Sequence, residues 1–187
     1  DDKSLSRYGQ WPWPRTLVAR LVRRIAAGNP RVLGVDIIFA ETDRLSPAKL
    51  AATRPDLPPP LARELAQLPP NEAALAEAFK QVPTVLGIGA SDVPEPTTHG
   101  ASRTTIILES GDNPRPFLIA YPYFLRSLPA LIAPARGQGT VLGNPDADGL
   151  TRRLPLFVVG HGQLAPALAL EMLRVAAGPG PLGILTG

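Results

Sequence analysis

Apolar positions recur along this chain with two periods, and the switches between them set out the elements. From Pro14, whose fixed φ suits a first helical turn, Leu17, Leu21 and Ile25 follow at four-residue spacing with Val18 and Val22 beside them. Arg15, Arg20, Arg23 and Arg24 take the rest of the wheel, and Gly28 and Pro30 end the segment. Val32 to Phe39 is apolar on both faces and rich in β-branched residues, the pattern of a strand covered by helices on each side. Between Ala40 and Pro60 the periodicity is lost in proline and charge. It returns in two short helices, about residues 60–67 and 71–82; Asn71 caps the second, which turns Leu75, Phe79 and Val82 inward. Val85 to Gly89 reads as another buried strand, residues 90–103 as a turn-rich mobile loop, and Thr104 to Leu108 as a strand. Residues 121–133 predict a helix broken around Pro129, and Thr140 to Gly143 a short strand. Leu154 to Val159 predicts a strand joined through Gly160-His161-Gly162 to a last helix over residues 166–177, opened by Pro166 and stopped by Gly178 and Pro179. Glu171 and Arg174 are spaced to pair on its polar edge, and Leu182 to Leu185 adds a closing strand.

This alternation predicts an α/β fold, a layered domain with a mainly parallel or mixed central sheet flanked by helices. With 187 residues, 44% of them hydrophobic, a single domain over 1–187 is the expected count. No stretch supplies the roughly 20 uncharged apolar residues of a membrane helix, and neither end has the order of a signal peptide. A soluble domain is expected, with any targeting or anchoring segment outside these residues. The absence of cysteine excludes disulfides, thiolate metal sites and cysteine nucleophiles. A net charge of +3 spread through helices and turns reads as a solvated surface, and 5% aromatic residues supply no base-stacking platform, so no nucleic-acid partner is expected.

Catalytic and cofactor signatures are missing. There is no Gly-x-Ser-x-Gly elbow, no Ser-x-x-Lys in a credible context and no phosphate loop, and the glycines at 137, 139 and 143 lack dinucleotide spacing. His99 and His161 both fall in glycine-containing loops without a metal-ligand partner. Asn144-Pro145-Asp146-Ala147-Asp148-Gly149 opens like a calcium loop, but the later ligands do not follow. A turn is the better reading, in which Asp146 and Asp148 bond nearby backbone and Gly149 supplies a positive φ. No metal and no cofactor are expected.

Five blocks of sequence, taken in order, carry a family resemblance. They are Asp1-Asp2-Lys3-Ser4-Leu5; the proline-locked corner Trp11-Pro12-Trp13-Pro14-Arg15; Gly34-Val35-Asp36-Ile37-Ile38-Phe39-Ala40-Glu41; residues 144–156, from Asn144 to Leu156; and Pro166-Ala167-Leu168-Ala169-Leu170-Glu171. Their order resembles the second type of CHASE domain, the sensory extracellular module of bacterial cyclases and histidine kinases. The resemblance implies a bacterial inner-membrane receptor with this domain periplasmic or extracellular, membrane helices outside these residues, and a cytoplasmic cyclase or kinase output. It also implies a homodimeric receptor responding to a small-molecule or ionic stimulus, no enzyme activity in this domain, and an apolar strand just ahead of Asp1 and Asp2.

Ligands of open α/β sheets sit beyond the carboxyl ends of the strands. Asp36 is expected there, inside the buried strand; Glu41 and Asp43 lie in the following loop, and Asp2 follows the implied first strand. With Arg15 and Arg152, these form the candidate ligand-binding set. The acids either share a cation or basic ligand, or Asp36 is buried and satisfied by N–H groups or by Arg15 or Arg152. The structural reading takes precedence, since a buried acid must be satisfied with or without a ligand. Arg152 and Arg153 alternate along the predicted strand, one facing the acids. Trp11, Trp13 and Phe39 are expected to seal a core edge against the first helix. The competing functions are a metal-dependent hydrolase using Asp2, Asp36 and Glu41, and a ligand-free dimerisation domain.

Overall fold

The computed structural model describes residues 2–93, 105–143, 146–178 and 180–187. A short helix α1 (Asp2–Tyr8) precedes the aromatic corner, and α2 (Arg15–Ala26) begins directly after Pro14. Strand β1 (Leu33–Val35) leads to three helices, α3 (Pro47–Thr53), α4 (Pro59–Gln67) and α5 (Asn71–Phe79). Then come β2 (Thr84–Ser91), β3 (Ile107–Ser110), β4 (Ala120–Tyr121), β5 (Tyr123–Leu125) and α6 (Pro129–Ile132). The chain continues through β6 (Gly137–Thr140), β7 (Phe157–Gly160), β8 (Gln163–Pro166), α7 (Leu168–Ala177) and β9 (Leu182–Leu185).

The central sheet is built around β2. Strands β1 and β6 pair with its first half in parallel, and β5 pairs antiparallel with Gly89 to Ser91. The sheet is therefore mixed and lies between helices, as the sequence predicts. Residue parity divides its faces. Val35, Leu86 and Gln138 align across the three strands, and Val35 and Leu86 pack against α2, α5 and α6 through Val18, Val22, Leu75, Phe79 and Leu131. Gly34, Val85 and Gly137 form the adjacent row, and α7 lies across it. The glycines permit that approach: a Cβ on Gly34 would stand 2.2 Å from the Met172 sulfur, and one on Gly137 would stand 2.0 Å from a Glu171 oxygen. A smaller core joins Ile88, Phe124, Val158 and Ala165, linking the central sheet to the sheet β4-β7-β8. Strands β3 and β9 pair in parallel.

Several elements differ from their sequence-based expectation. The Val32 to Phe39 strand is reduced to Leu33–Val35, because the chain then leaves the sheet: Phe39 N–H donates to Ser127 Oγ at 3.0 Å, and Leu128 N–H donates to the Phe39 carbonyl at 2.9 Å. Helix α3 occupies a stretch read as irregular. Residues 121–133 open with strand pairing, and only Pro129–Ile132 is helical. Gly160-His161-Gly162 leads into the antiparallel strand β8 rather than straight into α7. Most of the predicted mobile loop, together with Asp1, His99 and Asn144-Pro145, lies outside the described residues. Among the described residues no helix is long and apolar enough to cross a membrane.

Candidate functional site

The loop after β1 holds the best-connected polar cluster, centred on Asp43. Its Oδ2 accepts from the Arg15 backbone N–H at 2.7 Å and from Asn71 Nδ2 at 2.9 Å, and Oδ1 accepts from Leu45 N–H at 2.9 Å. Arg15 is the first residue of α2, so Asp43 supplies from 28 residues away the acceptor that Pro14, lacking a capping side chain, cannot. Ser46 does the same for α5: its Oγ accepts from Asn71 N–H at 2.9 Å and donates to Glu72 Oε2 at 3.1 Å. Asp43 N–H in turn donates to Glu72 Oε1. Asp43, Ser46 and Glu72 are all buried. One loop thus terminates two helices and ties them to each other. Asn71, expected to cap α5, is instead its first residue, and its side chain reaches Asp43.

Burial pushes the Asp43 carboxyl up, but the Arg15 and Leu45 N–H groups, the Asn71 amide and the Arg15 charge outweigh it and hold the pKa below the ordinary 3.8. Since the folded value lies below the unfolded one, this stabilisation is present above about pH 4 and lost as pH falls through the folded pKa. Unfolding free energy measured between pH 5 and pH 2 should fall less steeply in Asp43→Asn than in wild type; parallel curves would contradict the role given to this carboxylate.

The other predicted site residues are placed apart from this cluster or differently within it. Asp36 is exposed and has no hydrogen-bond partner among the described residues, so the expectation of a buried, satisfied Asp36 is corrected. The strand ends before it, and the side chain meets solvent where an acid needs no partner. Asp2 and Glu41 are also exposed. Arg15 does not pair with Asp36: its guanidinium lies 4.4 Å from the Phe39 ring centroid and donates to the Glu41 carbonyl at 3.4 Å. Arg152 turns instead to the preceding turn, donating to Asp148 at 2.7 and 2.9 Å and to Asp146 at 3.0 Å, in an exposed setting. No strand runs through Arg152 and Arg153. The turn itself forms as expected, with Leu150 N–H on Asp148 Oδ1 and Gly149 at φ 81°. Among the described residues no group of three His, Cys, Asp or Glu side chains is placed to hold a metal ion. Asp2, Asp36, Glu41 and Asp43, expected to gather at one mouth, thus form no such metal-holding group.

The Trp11 to Pro14 corner is only partly a core element. Phe39 is buried and Trp13 packs against the core, with its indole N–H donating to the Gly9 carbonyl at 2.8 Å. Trp11 is 47% exposed and meets Trp13 edge to face at 5.7 Å, as Tyr8 does at 5.8 Å. The expectation of a sealed edge holds for Trp13 and Phe39 and is corrected for Trp11. In urea unfolding, Trp13→Ala is expected to cost about 2–3 kcal/mol and Trp11→Ala under about 1 kcal/mol. Equal costs would contradict this division.

A buried acid on α7 was read from the sequence only as one member of a surface pair. Glu171 is fully buried and accepts from Arg174 at 2.7 and 2.8 Å and from Thr105 Oγ1 at 2.7 Å. Arg174 also donates to the Gly180 and Arg136 carbonyls. A polar residue facing a strand glycine was the available signal, since a glycine at Gly137 leaves room for one carboxylate. His161 is exposed and stacks on Tyr123 at 5.3 Å.

Asp36, Phe39, Glu41, Trp13 and Glu171, residues of the blocks that carried the family resemblance, thus fall just after β1, just ahead of α2 and on α7. The CHASE2 domain family model matches residues 1–183. No curated protein and no solved structure matches the chain. With nearly its whole length covered, the chain belongs to the CHASE2 family of extracellular sensory domains.

Proposed function

We propose that residues 1–187 form one extracytoplasmic sensory domain of a bacterial transmembrane receptor, joined through flanking membrane helices to a cytoplasmic cyclase or kinase. The match to the CHASE2 family over residues 1–183 carries this reading. A stimulus acts by binding one of two domain arrangements better than the other, since only differential affinity shifts an equilibrium. The receptor works as a homodimer, in which a change in one domain is passed to paired membrane helices. The buried ties at Asp43 and Glu171 keep the central sheet and its helices together as one body during that change. This assigns Asp43 and Arg15 to the frame of the sensor and leaves ligand contact to surfaces whose polar groups the fold does not already use.

The reading is tested in membranes holding the full-length receptor. Removal of residues 1–187 should change the output rate by about fivefold or more, the size of an ordinary coupling free energy. An unchanged rate would reject regulation by this domain and favour a passive dimerisation role.

A further inference from the structure

We propose that the groove between α1 and α2 binds a small organic anion with an aromatic or apolar body. The groove has a volume of about 630 Å³, within the size range of small-molecule sites. Arg7 enters it from α1, and Arg20 and Arg24 from successive turns of α2. None of the three forms an ion pair among the described residues, and Arg20 and Arg24 make no hydrogen bond or ring contact there. Arg7 stacks its guanidinium on the Tyr8 ring at 5.3 Å.

The apolar part of the groove comes from the same two helices. The sequence sets Leu17 and Leu21 beside Val18 and Val22 in one apolar stripe. The structure buries Val18 and Val22 but leaves Leu21 53% exposed, with Leu17 beside it in the groove wall. Tyr8 and Trp13 close one end with their rings. Three cations without an ion-pair partner among the described residues, around a concave apolar and aromatic floor, are complementary to a carboxylate or phosphate on an apolar body. The concavity favours a molecule enclosed between two helices over a bilayer, which calls for an apolar face that projects.

This deepens the sensory reading by naming the class of stimulus and its site, and it rests on that reading only in calling the occupant a stimulus. Binding is measured on the 187-residue chain itself, so its failure is separate from a failure of receptor output. Calorimetric titration with naphthalene-2-carboxylate is expected to give saturable one-to-one binding. The uncharged 2-naphthylmethanol and inorganic phosphate should each bind about tenfold more weakly or worse, because each lacks half of the match. The double variant Arg20→Gln, Arg24→Gln should lose about tenfold in affinity for the carboxylate while keeping the wild-type unfolding midpoint. Arg152→Gln, which lies outside the groove, should bind like wild type. Equal binding of the alcohol, full affinity in the double variant or absence of naphthalene-2-carboxylate binding would overturn the proposal. Arginine-dependent binding to phosphatidylglycerol vesicles without binding of the soluble carboxylate would overturn it in favour of a membrane-facing surface.

Discussion

Glu171→Ala is expected to lower the unfolding free energy by about 3–5 kcal/mol, the cost of removing one partner of a buried ion pair. Arg174, whose side chain is only 15% exposed, would keep its charge without the carboxylate that faces it, and Thr105 would lose its acceptor. The site admits no easy collapse, because Glu171 lies directly over Gly137 on a central strand. Glu171→Gln keeps shape and an acceptor and should cost less. The converse change gives an independent check. Gly137→Ala adds a methyl group into a carboxylate held on both sides, and should cost about 3 kcal/mol or more by overpacking. Urea unfolding reads both. A loss under about 1 kcal/mol in Glu171→Ala would contradict the view that α7 is fastened to the sheet at this point.

Asp43→Ala is expected to cost about 3 kcal/mol, the second large effect. It removes the acceptor for the first N–H of α2, worth about 1 kcal/mol as a cap, and takes the partner from the part-buried Leu45 N–H and Asn71 amide. Asp43→Asn retains one carbonyl oxygen and should lose about half as much. Urea midpoints with unchanged slopes would show that the folded state has weakened without a change in what unfolds. Equal, small effects for alanine and asparagine would show that the loop does not act as a shared cap.

Much of the frame was legible in the sequence because its signals are local. The four-residue recurrence through Val18 and Val22 places α2, the run from Val85 marks β2, and Gly178 stops α7. The errors arise where burial and pairing part company. Val32 to Phe39 is apolar throughout, and Phe39 is indeed buried, but only Leu33 to Val35 finds a partner strand. An apolar run reports contact with a core and is silent about whether the backbone is in a ladder. Asp36 was misplaced for that reason. Tyr123 to Leu125 was misread because its partner, Gly89 to Ser91, lies far away in the chain. The hairpin after β7 left a signal that was passed over: His161 and Gly162 take φ of 48° and 76°, the paired positive values of a two-residue hairpin turn.

The candidate site was legible in part. Asp43 and Arg15 were singled out and do meet, through the Arg15 backbone N–H rather than its guanidinium. Ser46 and Glu72 were missed, since helix capping across 25 or more residues has no sequence spacing to reveal it. Arg152 was drawn to its own turn by two aspartates within six residues, a local pairing that outcompetes any distant acid.

Whether this domain faces the outside of the cell in a membrane receptor, as proposed, can be measured directly, because its sequence contains no cysteine. Lys49→Cys, on the exposed side of α3, introduces one thiol into a domain that has none. Intact cells with a permeabilised outer membrane, expressing the full-length receptor, are treated with a membrane-impermeant maleimide and compared with the unsubstituted receptor. The added thiol should be labelled before lysis, to the same extent as after it. Labelling only after lysis would place the domain in the cytoplasm and contradict an extracytoplasmic sensor.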